Sequence, residues 1–289
     1  MIDALFYNSL IEIDYLKTNL ATYNNGPAVF YAEAANDQDS NWGKTMYPRA
    51  DYYMDWTANA ERKTAGTLMV NVWCLAGKSI IPEDFTAPIC EALSNRFYKD
   101  TDGHYCTVWT QNDPFNGITE EPATIGITIS FDIMAFPVQA TFSPDPVAGM
   151  QSFIKANFAS SVKILGTADT PDETFIPGAL ALPIIYVRTD NQSSSFQDTY
   201  SARWIQIDLY LHLFASDVAT RNTLLRQIIN KMVIAGECIL DDKSPLFFQT
   251  AKMNLAADPL RNGQITISCR FGILTPQKES VKLNHIIIT

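Results

Sequence analysis

The chain has 289 residues, room for two domains of about 100 to 200 residues each. Hydrophobic residues make up 47%, and sixteen Phe, twelve Tyr and five Trp exclude a disordered chain. A formal net charge of -10, with Lys and Arg scattered rather than clustered, argues against sequence-reading nucleic-acid binding and against anionic membranes. The charged fraction of 18% lies below the usual quarter, as when partners cover much of the surface.

Taken in chain order, "IDALFYNSLIEIDYLKTNL" (2–20) reads as an amphipathic helix, with acids where a signal peptide needs basic residues. Residues 24–46, rich in Asn, Asp and Gly, read as an inserted loop with one extra strand. A strand, "YPRADYYMDW", follows the turn at Pro48. In "GTLMVNVWCLAG" (66–77), Leu68, Val70 and Val72 alternate with Met69, Asn71 and Trp73, the period of a strand. "PEDFTAPICEALSNRFY" (82–98) opens on Pro82 and acids and carries Phe85, Ile89, Leu93 and Phe97 at helical spacing. Then come a short strand "HYCTVWT", a turn-rich "NDPFNG" and a strand "GITISFDIMAFP" (126–137).

After a proline-punctuated joint around 140–144, the same order returns. A helix (146–162) precedes a strand "LPIIYVRTD" led by Pro183, then an alternating strand (203–217). A helix follows with Leu224, Leu225, Ile228, Ile229 and Met232 on one stripe and Gly236 as its stop. "PLFFQTAKMNL", a turn "ADPLRNG" and "GQITISCRFGILTP" (263–276) close the unit, and Asn262-Gly263 predicts a tight type I′ hairpin. A shift of 137 lays Leu68 on Ile205, Asn71 on Asp208 and Trp73 on Tyr210, and 138 superposes the two Ile-Thr-Ile-Ser strands. Ordered neighbours on both sides make duplication a better account than chance. The expected fold is α+β: two similar domains, 1–139 and 145–277, each a mostly antiparallel sheet with helices packed on one face, then an extension, 278–289.

Chemistry is sparse. His104, His212 and His285 are dispersed, and the five cysteines include no Cys-x-x-Cys pair, so no zinc cluster or disulfide framework is readable. His104 and Cys106 would share a strand face, a formal nucleophile pair, although a turn entering a strand explains the same residues. His212 reads as a sheet-surface residue. "KDTDG" lacks the remaining ligands of a calcium loop, and Asp241 with Asp242 is a weak carboxylate pair. Nucleotide, zinc-protease and hydrolase motifs are missing, so no catalytic, cofactor or metal residues are assigned and the protein is not expected to be an enzyme. The longest apolar stretch, 176–187, falls short of the roughly 20 residues of a membrane span. The aromatics of "DYYMDW" (Tyr52, Tyr53, Trp56) read as filling a core or a subunit interface in preference to forming a sugar-stacking or nucleobase platform.

The ordered elements in "IDALFYNSLIEIDYLKTNL", "YPRADYYMDW", "GTLMVNVWCLAG", "FTAPICEALSN" and "ITISFDIMAFP", and their second-half counterparts, resemble the tail terminator (head-tail joining) proteins of tailed bacteriophages. The resemblance implies a virion structural protein, assembled in the host cytoplasm, that caps the tail tube as a ring and contacts tail-tube and head-connector proteins. DNA would pass an acidic lumen without sequence-specific binding. Members usually carry one unit and form hexamers; two units here leave a trimeric pseudo-hexamer or a six-chain ring open. The interface residues expected are Tyr52, Tyr53, Trp56, Trp73 and Tyr210, with Ile286, Ile287 and Ile288 of the β-prone tail either adding a strand to a neighbour or closing their own domain. Alternatives are another neck, connector or baseplate ring protein, or a cytosolic two-domain enzyme or small-ligand binder using a cleft between the units.

Overall fold

The computed structural model describes residues 2–33, 46–57, 64–101, 103–117, 123–139, 143–166, 175–195 and 202–274. Unit 1 opens with α1 (Ile2–Ile11) and α2 (Asp14–Asn19), then a small hairpin, β1 (Thr22–Tyr23) and β2 (Gly26–Pro27), turning on Asn24 and Asn25 at positive φ. Its main sheet comprises β3 (Val29–Tyr31), β4 (Arg49–Trp56), β5 (Thr64–Leu75), β6 (Arg96–Asp100), β7 (Gly103–Asn116) and β8 (Thr124–Pro137), with α3 (Thr86–Leu93) between β5 and β6. Unit 2 runs α4 (Pro146–Phe158), β9 (Lys163–Ile164), β10 (Ile184–Ser195), β11 (Ala202–Phe214), α5 (Val218–Ala235), β12 (Glu237–Ile239), β13 (Pro245–Met253) and β14 (Ile265–Leu274).

The two six-stranded sheets have one topology. Their orders are β3-β4-β5-β8-β7-β6 and β9-β10-β11-β14-β13-β12, each with one parallel pair at the β3 or β9 edge and antiparallel pairs elsewhere. One irregularity also corresponds. A bulge interrupts β7 against β8 between Trp109 and Gln111, and another interrupts β13 against β14 between Phe248 and Thr250, opposite the Phe131 and Cys269 that follow each Ile-Thr-Ile-Ser. A bulge costs a ladder bond and fixes local register, so finding it at one place in both sheets supports duplication beyond element order. The fold is α+β with two similar domains.

Alternation decides what is buried. Leu68, Val70, Val72 and Cys74 of β5, with Ile127, Ile129, Phe131 and Ile133 of β8, face Phe6 and Leu10 of α1 and Ile89 and Leu93 of α3 in one core. Ile207, Leu209, Leu211 and Leu213 of β11 do the same against Met150 and Ile154 of α4 and Leu225, Ile228 and Met232 of α5. Burying each such side chain contributes about 1.5–3 kcal/mol. Helices therefore cover one face of each sheet. Asp145 caps α4 by accepting from the amides of Val147 and Ala148, Asp217 caps α5 at the amide of Thr220, and Gly236 ends α5 at φ 71, a left-handed geometry that suits glycine.

Several sequence expectations need correction. The first helix breaks at Ile13, which is extended, so that Ile11, Ile13, Tyr15 and Leu16 all reach the core. Phe97 sits in β6 rather than on α3, and the segment read as a turn, "NDPF", continues β7. β3, read as part of an insertion, is the counterpart of β9. Asn262-Gly263 forms no two-residue turn: eleven residues connect β13 to β14, and neither residue has a positive φ. The shift of 137 is also two residues short. Leu68 faces Phe131 while Cys269, the counterpart of Phe131, faces Ile207, so Leu68 matches Ile207 and Trp73 matches His212.

Candidate functional site

The helix-free faces of the two sheets meet, and this junction is the chief feature that sequence patterning missed. Phe97, Cys106, Met134 and Phe136 of unit 1 pack with Leu165, Ile184, Tyr186, Phe214 and Leu260 of unit 2 in a third core. Phe136 is edge-on to Tyr186 at 5.3 Å and to Phe214 at 5.5 Å between centroids. Polar ties surround it. Tyr186 Oη donates to Pro137 O (2.8 Å), Arg261 pairs with Asp132 (2.8 Å), and Phe97 exchanges both backbone hydrogen bonds with Phe175. A signal existed: "IMAF" and "PIIYV" are apolar on successive residues, the mark of strand ends covered on both faces.

Both described histidines lie in this region, which corrects the reading of His212 as a surface residue. It is 1% exposed, its ring beside Phe136 and Tyr186, with Nδ1 2.7 Å from Pro259 O. His104 is also buried, 6.3 Å from Phe175 between centroids. Cys106 points into the apolar core, and burial pushes its thiol far up, away from the thiolate that nucleophilic chemistry needs. Burial likewise raises Cys74 and Cys238 to about 12. Asp241 accepts from Ser143 Oγ (2.7 Å) and Asp145 N (2.9 Å), while Asp242 accepts from Ser244, so the acidic pair fastens turns. Among the described residues no three His, Cys, Asp or Glu side chains gather as metal ligands. No described helix is long and apolar enough to cross a membrane.

The aromatics expected at an interface divide between two faces, as strand alternation requires. Tyr52 is buried under α1, its hydroxyl donating to Asp3 O, and Trp56 lies on the same side of β4, edge-on to Tyr105 of β7 at 5.6 Å. Contact between β4 and β7 across two intervening strands shows how strongly the sheet curls. Tyr53 and Trp73 lie on the opposite, helix-free face, as Tyr210 does on sheet 2. Ile286, Ile287 and Ile288 lie outside the described residues. Around Trp73 the face is well built: Arg49 stacks between it (5.4 Å) and Tyr47 (5.0 Å), Phe115 meets it edge-on, and its Nε1 donates to Asp51. Gly126 makes room, since a Cβ there would strike the Phe115 ring at 2.2 Å. Unit 2 has a parallel stack, Arg270 over Trp204 (4.9 Å) and Phe247 (5.9 Å).

The long strands also outrun their edge partners. β6 pairs only with Gly103–Thr107 of β7, β12 only with Pro245–Phe247 of β13, and β9 only with the first two residues of β10. A cleft of about 380 Å³ lies at the unit boundary, lined by Asn95, Phe214, Asp217, Arg221, Asp258 and Leu260 among others. Comparison with family models, with curated protein sequences and with solved structures found no match to this chain.

Proposed function

We propose that the chain is a non-enzymatic structural protein of a tailed-phage neck, a tail terminator whose copies form a ring between tail tube and head. The observation that carries this reading is that two copies of one α+β unit join through different surfaces, unit 1 by β6, β7 and β8 and unit 2 by β10, β11 and their adjoining loops. Such heterologous contacts propagate, and they close into rings when the rotation per step divides a full turn. Stretches of β7 and β13 that no described strand pairs, and a net charge of -10, add to it, the edges offering backbone partners and the charge repelling DNA in a lumen. In this reading the protein resides in the virion after assembly in the host cytoplasm, and its partners are tube and connector proteins; other neck, connector or baseplate rings share the same requirements.

Native mass and negative-stain imaging of the purified chain test the proposal. A ring of three chains supports the pseudo-hexamer, and six chains support a ring carrying the second unit outside or above. A monomer that stays monomeric with tail-tube protein present rejects it. The cleft at the unit boundary favours a second reading, a small-ligand binder. A ligand that raises the unfolding temperature of the wild type and loses that effect with Arg221→Ala would establish it.

A further inference from the structure

The internal junction leaves a matching half uncovered on each unit. Because the sheets share one strand order, the surface that unit 1 uses has a counterpart on unit 2, and the surface that unit 2 uses has a counterpart on unit 1. Register identifies both. Arg49 faces Trp73 as Tyr186 faces His212, so Tyr47, Arg49, Trp73 and Leu75 hold the places of Ile184, Tyr186, His212 and Phe214. Val108 faces Asp132 as Phe247 faces Arg270, so Ile239, Phe247 and Leu274 hold the places of Phe97, Val108 and Phe136.

Their exposure is the telling feature. Phe97 and Phe136 are 0% and 2% exposed, whereas Ile239 and Leu274 are 53% and 79% exposed. Two large apolar side chains exposed at positions that the sister unit buries mark a surface that a partner can cover. On the other half, Tyr47, Arg49, Trp73 and Leu75 are half-buried, their stack flanked by Phe115 and its guanidinium weakly hydrated.

We infer that copies of this chain join head to tail by repeating the internal contact, with Ile239, Phe247 and Leu274 of one copy against Tyr47, Arg49, Trp73 and Leu75 of the next. The occupant is a second copy because each uncovered surface occupies the position that this fold already uses to bind its own duplicate. The outer junction is more polar than the inner one, Arg49 standing for Tyr186, which suits a contact formed between chains that must first stay soluble alone. The inference deepens the ring reading and rests on it only in requiring self-assembly.

Cross-linking of full-length chains tests it. Phe97 and Phe214, the counterparts of Ile239 and Leu75, have ring centroids 5.0 Å apart. Ile239→Cys and Leu75→Cys chains mixed with a short bis-maleimide should therefore give a cross-linked dimer that neither variant nor wild type gives alone. The double variant should give a ladder of oligomers. Leu274→Asp should raise the concentration needed for assembly about tenfold or more, whereas Ile234→Asp, on exposed α5 surface, should leave it unchanged. Multimers that form without the cross-link, or that Ile234→Asp disperses and Leu274→Asp does not, overturn the inference and leave the ring reading standing. A monomer by native mass with no cross-link, both alone and with tail-tube protein present, overturns both.

Discussion

Asp51, 6% exposed, shows how one polar side chain is kept inside an otherwise apolar face. Its carboxylate accepts from Asn71 Nδ2 (2.7 Å) and Trp73 Nε1, and Asn71 in turn accepts from Thr128. Burial pushes the carboxyl pKa up, and the hydrogen bonds from Asn71 and Trp73 with the charge of Arg49 pull it partly back. Asp51→Asn turns an amide N–H toward one of two donors, so it should cost about 1–3 kcal/mol, read from the urea midpoint. With the folded pKa above the unfolded one, the proton-linked stabilisation is complete below the unfolded value and is lost as pH rises through the folded value. The margin of wild type over Asp51→Asn should thus shrink as pH rises from about 4, where unfolded aspartates titrate. Thiols offer a second check: four of the five cysteines are buried and Cys90 is half-buried, so a maleimide at neutral pH should label Cys90 alone until the protein unfolds. At this scale the sequence was a poor guide to surroundings. His212 looked like a surface residue because its neighbours on that face, Asp208 and Tyr210, are polar or amphipathic, and only the far end of the strand is covered by the other unit.

At the scale of elements, periodicity identified the long strands and α5 because each has one wet and one dry face. It could not fix the offset between the halves. A strand repeats every two residues, so shifts of 137 and 139 present the same faces, and only pairing to β8 or β14 tells them apart. The edge strands β6, β9 and β12 were hard to read for another reason: at five, two and three residues they are shorter than any alternation can mark. The aromatic patch was split by that same alternation, since "DYYMDW" sends Tyr52 and Trp56 to one side and Tyr53 to the other. The start of α4 was legible in "DPV", a capping residue followed by proline. Asp145→Ala removes the acceptor for two amides and should lower stability by about 0.5–2 kcal/mol, measured by chemical denaturation.

For the whole molecule, the third core makes one body of two similar units. Phe136 is its hub, touching rings from Phe97, Tyr186, His212 and Phe214. Phe136→Ala should cost about 3–5 kcal/mol. It should also divide a single calorimetric unfolding transition into two, because each unit keeps a separate core beneath its own helices. Function is less legible than fold, since the junction between the units is a surface, and a surface emerges only when strands are placed in register.

The peptide joint from Pro137 to Asp145, fastened by Asp241, has a kinetic meaning. It holds one junction at the millimolar effective concentration typical of a short tether, whatever the dilution. In an assembly of such chains every second junction is therefore made before any two molecules collide, and the number of productive encounters is halved. In the proposed assembly the two kinds of junction would also mutate separately, leaving the outer one to set when assembly begins while the inner one keeps the pair intact.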